Sequence, residues 1–240
     1  MDDREHETHD RLTRRQSLAK AGGLAALLAG SAGWKLAAGE DDADAAVGPA
    51  AVASGAVTCV LAPEQTEGPY YVSGAKVRQN ITEGRPGAPL TLRLRVVDAS
   101  GCTPIRNAAV DVWHADALGR YSGVQDQAGK TFMRGVQRTD ASGVALFKTV
   151  YPGWYPGRTV HIHVMVHIGG NVVHTGQLYF PDTITDAVYR RSPYRSRPNR
   201  QTRNAADAIY RNGGRRSQLA LKRLDTGAYA AAITMGVHRS

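Results

Sequence analysis

Cysteine is nearly absent. Cys59 and Cys102 form no Cys-x-x-Cys spacing, which excludes a zinc knuckle or a thioredoxin-type redox motif. Phenylalanine occurs three times against 26 glycines, a balance that suits a loop-rich β protein over a helical bundle. There is no Gly-rich phosphate loop and no internal repeat, and glutamate disappears after Glu83. The apolar run Leu24 to Gly33 is too short and too rich in Gly and Ala for a transmembrane helix. What is present is a 240-residue chain with 42% hydrophobic residues, enough for one substantial domain with appendages, and a formal net charge of +9.

The apolar run follows Thr13-Arg14-Arg15-Gln16-Ser17-Leu18-Ala19-Lys20, a twin arginine ahead of a modest hydrophobic stretch, as in the twin-arginine export signals of bacteria. Residues 1–38 are predicted to be a signal peptide, 39–56 (rich in Ala, Gly and Asp) a disordered linker, and 57–240 the domain. The expectation is a secreted or extracytoplasmic protein with no stable membrane insertion once the signal is removed. In an oxidising compartment Cys59 and Cys102 would form a disulfide tying the N-terminal arm to the first hairpin; two free buried thiols are the alternative.

Beyond residue 46 the chain carries 24 basic and 12 acidic side chains. Eleven of the cations lie between Tyr189 and Arg223, with Asp207 as the one acid among them. Interleaved with Tyr189, Tyr194 and Tyr210, they resemble a nucleic-acid surface in composition. An exported protein rarely meets genomic DNA, so a solvated basic C-terminal extension is expected, with one short helical stretch over Asn204 to Tyr210 and no nucleic-acid partner.

From Pro89 onward short alternating segments recur between turn signals. Leu90, Leu92, Leu94 and Val96 alternate with Thr91, Arg93 and Arg95; strands are predicted over Ala109 to Ala115, Val144 to Val150, Thr159 to Ile168 and Val172 to Phe180. This spacing predicts an all-β antiparallel sandwich or barrel. In the fourth segment a period of two puts Val160, Ile162, Val164, Val166 and Ile168 on one face and His161, His163, Met165 and His167 on the other. His-x-His on a strand can start a metal site, although strands also carry histidines for packing. Tyr155 lies six residues before His161, and Tyr121 closes the Trp113-to-Tyr121 segment. Phenolate is a hard anionic donor that suits Fe(III) better than Zn(II) or Cu(I).

The segments Glu64-Gln-Thr-Glu-Gly-Pro-Tyr-Tyr71, Trp113-His-Ala with Gly119-Arg-Tyr121, Pro152-Gly-Trp-Tyr155, Arg158-x-x-His161-x-His163 and Thr175-Gly-Gln-Leu-Tyr-Phe180 together resemble the intradiol ring-cleavage dioxygenases, the family of the protocatechuate, catechol and hydroxyquinol enzymes. Combined with an export signal and two cysteines, the pattern is similar to a secreted branch of that family. The resemblance implies a β-sandwich with a non-haem Fe(III) held by Tyr121, Tyr155, His161 and His163, with Tyr155 and His163 axial. It implies cleavage of catechol-type rings between the two hydroxylated carbons with O2, giving cis,cis-muconate-type diacids. The diol would displace Tyr155, which accepts a substrate proton. Arg158 would stabilise negative charge on the substrate, Gln177 would stand near the iron and O2 pocket, and Tyr70 would line the substrate pocket.

Packing alone is the competing account of Gln177 and Tyr70, and a structural role is expected of His114, His167 and His174. The Tyr155-to-His161 spacing is shorter than in the well-studied cytoplasmic enzymes, which implies a more open pocket. Small aromatic diols and O2 are the partners expected, and an oligomer is possible. Two other readings remain: a three-histidine zinc site from His161, His163 and His167, and a secreted β-sandwich module that binds phenolics or polymer without turnover.

Overall fold

The computed structural model describes residues 59–239; the predicted signal peptide, the linker and residues 57–58 lie outside the described residues. Eight strands form two four-stranded sheets. One sheet has the order β4 (Val144–Val150), β1 (Pro89–Asp98), β8 (Tyr229–Val237), β7 (Ala220–Arg223). The other has the order β3 (Arg134–Arg138), β2 (Ala109–Trp113), β5 (His161–Ile168), β6 (Asn171–Tyr179).

Alternation works as the sequence suggests. Leu90, Leu92, Leu94 and Val96 are buried while Thr91 and Arg93 are exposed. Together with Phe147, Val110, Val112, Ile162, Val164 and Val166 they form one continuous core between the sheets. Area removed from water at roughly 25 cal/mol per Å² makes this layer the main stabilising element. Cys59 and Cys102 form a disulfide with Cα atoms 5.5 Å apart. The arm beyond it also hydrogen-bonds to β8, with Ala62 N–H donating to Gly236 O and Gly236 N–H to Val60 O, both at 2.9 Å.

The chain after Asp182 departs from expectation. It is an integral part of the sandwich: β8 lies between β1 and β7 and runs parallel to β1, with Leu92 opposite Ala231. Its sequence, Tyr-Ala-Ala-Ala-Ile-Thr-Met-Gly-Val, holds weak strand formers, and burial on both faces removes the period-two signal. An α-helix, α1, covers Asp182–Tyr189, with Thr185 and Val188 buried. The predicted helical stretch over Asn204 to Tyr210 is split into a 3-10 turn at Asn204–Ala206 and a short helix, α2, at Ala208–Arg211. Asp207 causes the break: its backbone is extended and its carboxylate accepts from the N–H groups of Ile209 and Tyr210, an N-cap.

The basic segment is only partly a solvated surface. Arg200 pairs with Asp182 at 2.5 Å and Asp186 at 2.9 Å, and Arg197 is half-buried against Trp154. Among the described residues no helix is long and apolar enough to cross a membrane.

Candidate metal centre

The sheet register gathers the site. On the face of β5 turned away from the core, one cross-strand rung reads Arg134, Trp113, His163, Gln177 across β3, β2, β5 and β6. The next rung toward the start of β5 pairs His161 with Tyr179. The tyrosines come from two loops that meet backbone on backbone. A Cβ on Gly153 would lie 2.4 Å from Ala117 O, and one on Gly119, where φ is +77°, would lie 2.1 Å from Trp154 O. Only glycine allows this approach, which fixes Tyr121 and Tyr155 relative to each other.

Four donors converge. The Tyr155 hydroxyl donates to His161 Nε2 at 3.1 Å, and the Nε2 atoms of His161 and His163 are 3.0 Å apart. The Tyr121 hydroxyl is buried and has no hydrogen-bond partner, and its ring lies 5.6 Å from that of Tyr155 and 6.2 Å from that of His163. His161 Nδ1 lies 2.6 Å from Thr159 O, so the ring proton sits there and the Nε2 lone pair faces the site. Burial pushes His161 down to about 3 and His163 well below its ordinary value, keeping both imidazoles neutral. Burial likewise pushes the phenols of Tyr121 and Tyr155 up. Two ring nitrogens 3.0 Å apart and an orphaned buried phenol fit a bound cation, which would reverse the phenol shift.

The three-histidine zinc alternative fails on geometry. His167 lies beyond a register shift between Val166 and His167, and among the described residues no group of three or more His, Cys, Asp or Glu could hold a metal ion.

Beside His161 stands a charged network. Arg158 Nε donates to Asp207 Oδ2 at 2.8 Å, Arg158 Nη2 donates to Gln177 Oε1, and Arg158 Nη1 lies 3.5 Å from His161 Nε2. Burial opposes the Arg158 charge, but Tyr155 and Asp207 outweigh it and raise its pKa. Gln177 Nε2 donates to Thr66 O at 2.9 Å, so the amide is fixed at both ends. Asp207 also accepts from Thr159 N–H at 2.8 Å. Sequence reasoning missed Asp207; the one signal was its isolation among eleven cations.

Beside Tyr121 the support is different. Tyr70 stacks on Tyr121 with centroids 4.6 Å apart. Arg134, also missed, is buried; its Nη2 donates to Tyr70 O at 2.7 Å and Ser122 O at 2.6 Å, and its Nε to Ser122 Oγ at 3.0 Å. The Trp113 ring lies parallel to His163, 4.9 Å away. In the neighbouring rung, burial pushes Asp111 up to about 7. His114 contacts Ala115 O and Thr149 Oγ1, both at 2.8 Å, and His174 contacts Glu64 at 2.8 Å. Tyr70, Tyr121 and Tyr155 line a cavity of ≈ 470 Å³ that opens to solvent.

The fold and site define a β-sandwich protein in which two tyrosines and two histidines converge, the tyrosines lining a cleft. The family described as Dioxygenase matches residues 66–191, over half of the chain. An intradiol ring-cleavage dioxygenase from Tetranychus urticae is 33% identical in sequence, with a TM-score of 0.73 over 75% of this chain and 96% of that one. Catechol 1,2-dioxygenase 2 of Acinetobacter lwoffii is 40% identical over 97 residues, 39% of this chain and 35% of that protein. The protocatechuate 3,4-dioxygenase beta chain of Burkholderia cepacia is 33% identical over 146 residues, 53% of this chain and 61% of that protein. The match thus spans between a third and two thirds of these curated relatives. The chain belongs to the intradiol ring-cleavage dioxygenase family.

Proposed function

We propose that the protein cleaves catechol-type rings between the two hydroxylated carbons with O2, using a non-haem Fe(III) held by Tyr121, Tyr155, His161 and His163. The observation that carries this reading is the convergence of two neutral imidazoles and two phenols, one of them orphaned, with both phenols lining an open cleft. Two phenolates are hard anionic donors that suit ferric iron over zinc. When bound, the ferric ion supplies a Lewis-acidic anchor for the diolate and an electron path between the substrate ring and O2.

The protein's own residues divide the remaining work. Tyr155, the half-buried member of the donor pair, faces the cleft and donates a hydrogen bond to His161; once a bound cation had made it a phenolate, its Oη would be the atom placed to take a proton from an incoming diol. Arg158 brings a fixed positive charge to the edge of the site, where it favours negative charge on the ring as it develops. Gln177, held by Thr66 O, keeps the Arg158 guanidinium aimed. Tyr70 stacks on Tyr121 and walls off one side of the cleft.

Export by the twin-arginine route belongs to the same proposal. It is supported by the Arg14-Arg15 signal and by the Cys59–Cys102 disulfide, a bond that persists in oxidising compartments. The test of function is a visible spectrum and metal assay of the purified protein, followed by O2 uptake with catechol. Expected are a red-brown tyrosinate-to-iron band, about one iron per chain, a band shift on adding catechol, and a ring-opened diacid. A protein that stays colourless after iron reconstitution and consumes no O2 with catechol overturns the reading. Fractionation with mapping of the mature N-terminus tests export, and cytoplasmic retention of an uncleaved chain would refute it.

A further inference from the structure

The cleft is larger than one ring needs and its rim is charged. At ≈ 470 Å³ it falls in the range that holds drug-sized ligands, so a bare dihydroxybenzene seated at the tyrosines leaves much of it empty. Its rim carries Arg120, Arg197 and Asp126. Arg197 is held rigidly: Nη1 donates to Leu118 O and, at 2.9 Å, to Trp154 O, while the guanidinium lies 4.5 Å over the Trp154 ring. Among the described residues it has no carboxylate partner. Arg120 pairs with Asp116 at 3.2 Å, but Asp116 also serves Arg85 at 3.5 Å, so one carboxylate faces two cations. Asp126 is exposed and its carboxylate accepts from the Gln127 side chain at 2.9 Å, so water screens its charge more than it screens half-buried Arg197. The rim therefore presents a preorganised surplus of guanidinium charge.

We propose that the natural substrates are catechols carrying an extended anionic substituent, the diol seated at the tyrosines and the carboxylate meeting Arg197 and Arg120 at the rim. This rests on the ring-cleavage reading above and adds the substrate class to it. Guanidinium favours carboxylate over neutral polar groups through charge-assisted, paired hydrogen bonds. Length matters as well as charge, since a carboxylate attached directly to the ring stays near the floor.

The test uses the iron-loaded protein with catechol, protocatechuate, 3,4-dihydroxyphenylacetate, 3,4-dihydroxyphenylpropanoate and the amide of the last. Dissociation constants come from anaerobic titration of the visible band, and kcat/KM from O2 uptake. The propanoate is expected to bind and react roughly tenfold better than its amide at low salt. The advantage should shrink in 0.5 M salt, and binding should improve from protocatechuate to the propanoate. In Arg197→Gln the acid-to-amide ratio is expected to fall toward one. Because Arg197 also braces two loop carbonyls, the salt dependence of the unaltered protein is the independent check. A ratio of one at low salt, or tightest binding by protocatechuate, overturns the substrate class while leaving ring cleavage standing. A protein whose band no catechol shifts, and which opens none of them, overturns both.

Discussion

The two walls of the site hold an arginine each, half-buried Arg158 and buried Arg134, by opposite means. Arg158, beside His161, is neutralised by Asp207 and shares Gln177, so charge pairing sets its position. Arg134, beside Tyr121, has no ion pair among the described residues and meets backbone carbonyls and the Ser122 hydroxyl instead. The difference follows from role. Arg158 reaches the reacting zone with one face free, and a buried cation there needs a counter-ion. Arg134 points its hydrogen bonds into the scaffold and ties the 70–71 strap to the 121–122 loop. One wall is electrostatic, with Asp207 49 residues from Arg158; the other is a hydrogen-bonded brace that reaches 64 residues back to Tyr70.

The most severe way to break that comparison is Asp207→Ala. It strands Arg158, whose side chain is 16% exposed, and removes the Thr159 partner and the cap of α2 together. The expected cost is about 3–5 kcal/mol, the range for removing one member of a buried pair. Urea unfolding measures it. Asp207→Asn should cost less than Asp207→Ala, because an oxygen acceptor survives. Equal losses for the two would show that charge, not hydrogen bonding, dominates this wall.

Arg134→Met attacks the other wall. Two carbonyls that now accept from the guanidinium lose their partners, at about 1–3 kcal/mol for each group left buried and unpaired. The sharper readout is spectroscopic. Because the brace sits behind Tyr121, Arg134→Met should shift or weaken the tyrosinate-to-iron band, while Arg134→Lys should recover only part of it, lacking the fork that reaches both loops. An unchanged band in both variants would show that Tyr121 is positioned without Arg134.

What the sequence discloses tracks how local the cause is. The period-two rows of β1 and β5, the turn glycines and the spacing of Tyr121, Tyr155, His161 and His163 are local, and each is legible in the residues themselves. Strand β8 is not: its alanines carry weak strand preference, and its place beside β1 is set by parallel pairing with a strand more than a hundred residues earlier. Asp207 was visible only as a lone acid, and nothing in its neighbourhood names Arg158. Arg134 lies on β3, a strand that the sequence reading does not predict, and the strap whose Tyr70 O accepts from it is 64 residues away.

The walls should also titrate in opposite directions. Burial works to raise the Asp207 pKa, but the N–H groups of Tyr210 and Thr159 and the Arg158 charge outweigh it and hold it below the usual carboxylate range. Its contribution is complete above about pH 4 and is lost as pH falls through the lowered value. Asp111, which accepts from Tyr71 near Arg134, is pushed up to about 7 by burial. The native state then holds a proton that the unfolded chain releases near pH 4, so stability falls as pH rises from about 4 to 7 and stays reduced above that. Asp111→Asn removes this loss. Relative to the unaltered protein it should gain about 4 kcal/mol between pH 4 and pH 8. Denaturant titrations at the two pH values measure it, and a variant whose pH profile matches the parent would remove Asp111 as the cause.

The smallest effect sharpens the comparison at Tyr70, the point where the brace meets the cleft. Its backbone oxygen accepts from Arg134, and its ring stacks on Tyr121 and meets the edge of Tyr155 at 6.0 Å. If the ring alone matters, Tyr70→Phe keeps both contacts and should change stability by less than about 0.5 kcal/mol and KM for catechol by less than twofold. Tyr70→Ala removes the stack, worth about 1 kcal/mol beyond the area lost, and should raise KM by more than kcat falls. A Phe variant as impaired as the Ala variant would place the hydroxyl against the substrate. Tyr70 would then belong with Tyr155 among the groups that touch the reacting diol, and the braced wall would carry chemistry as well as shape.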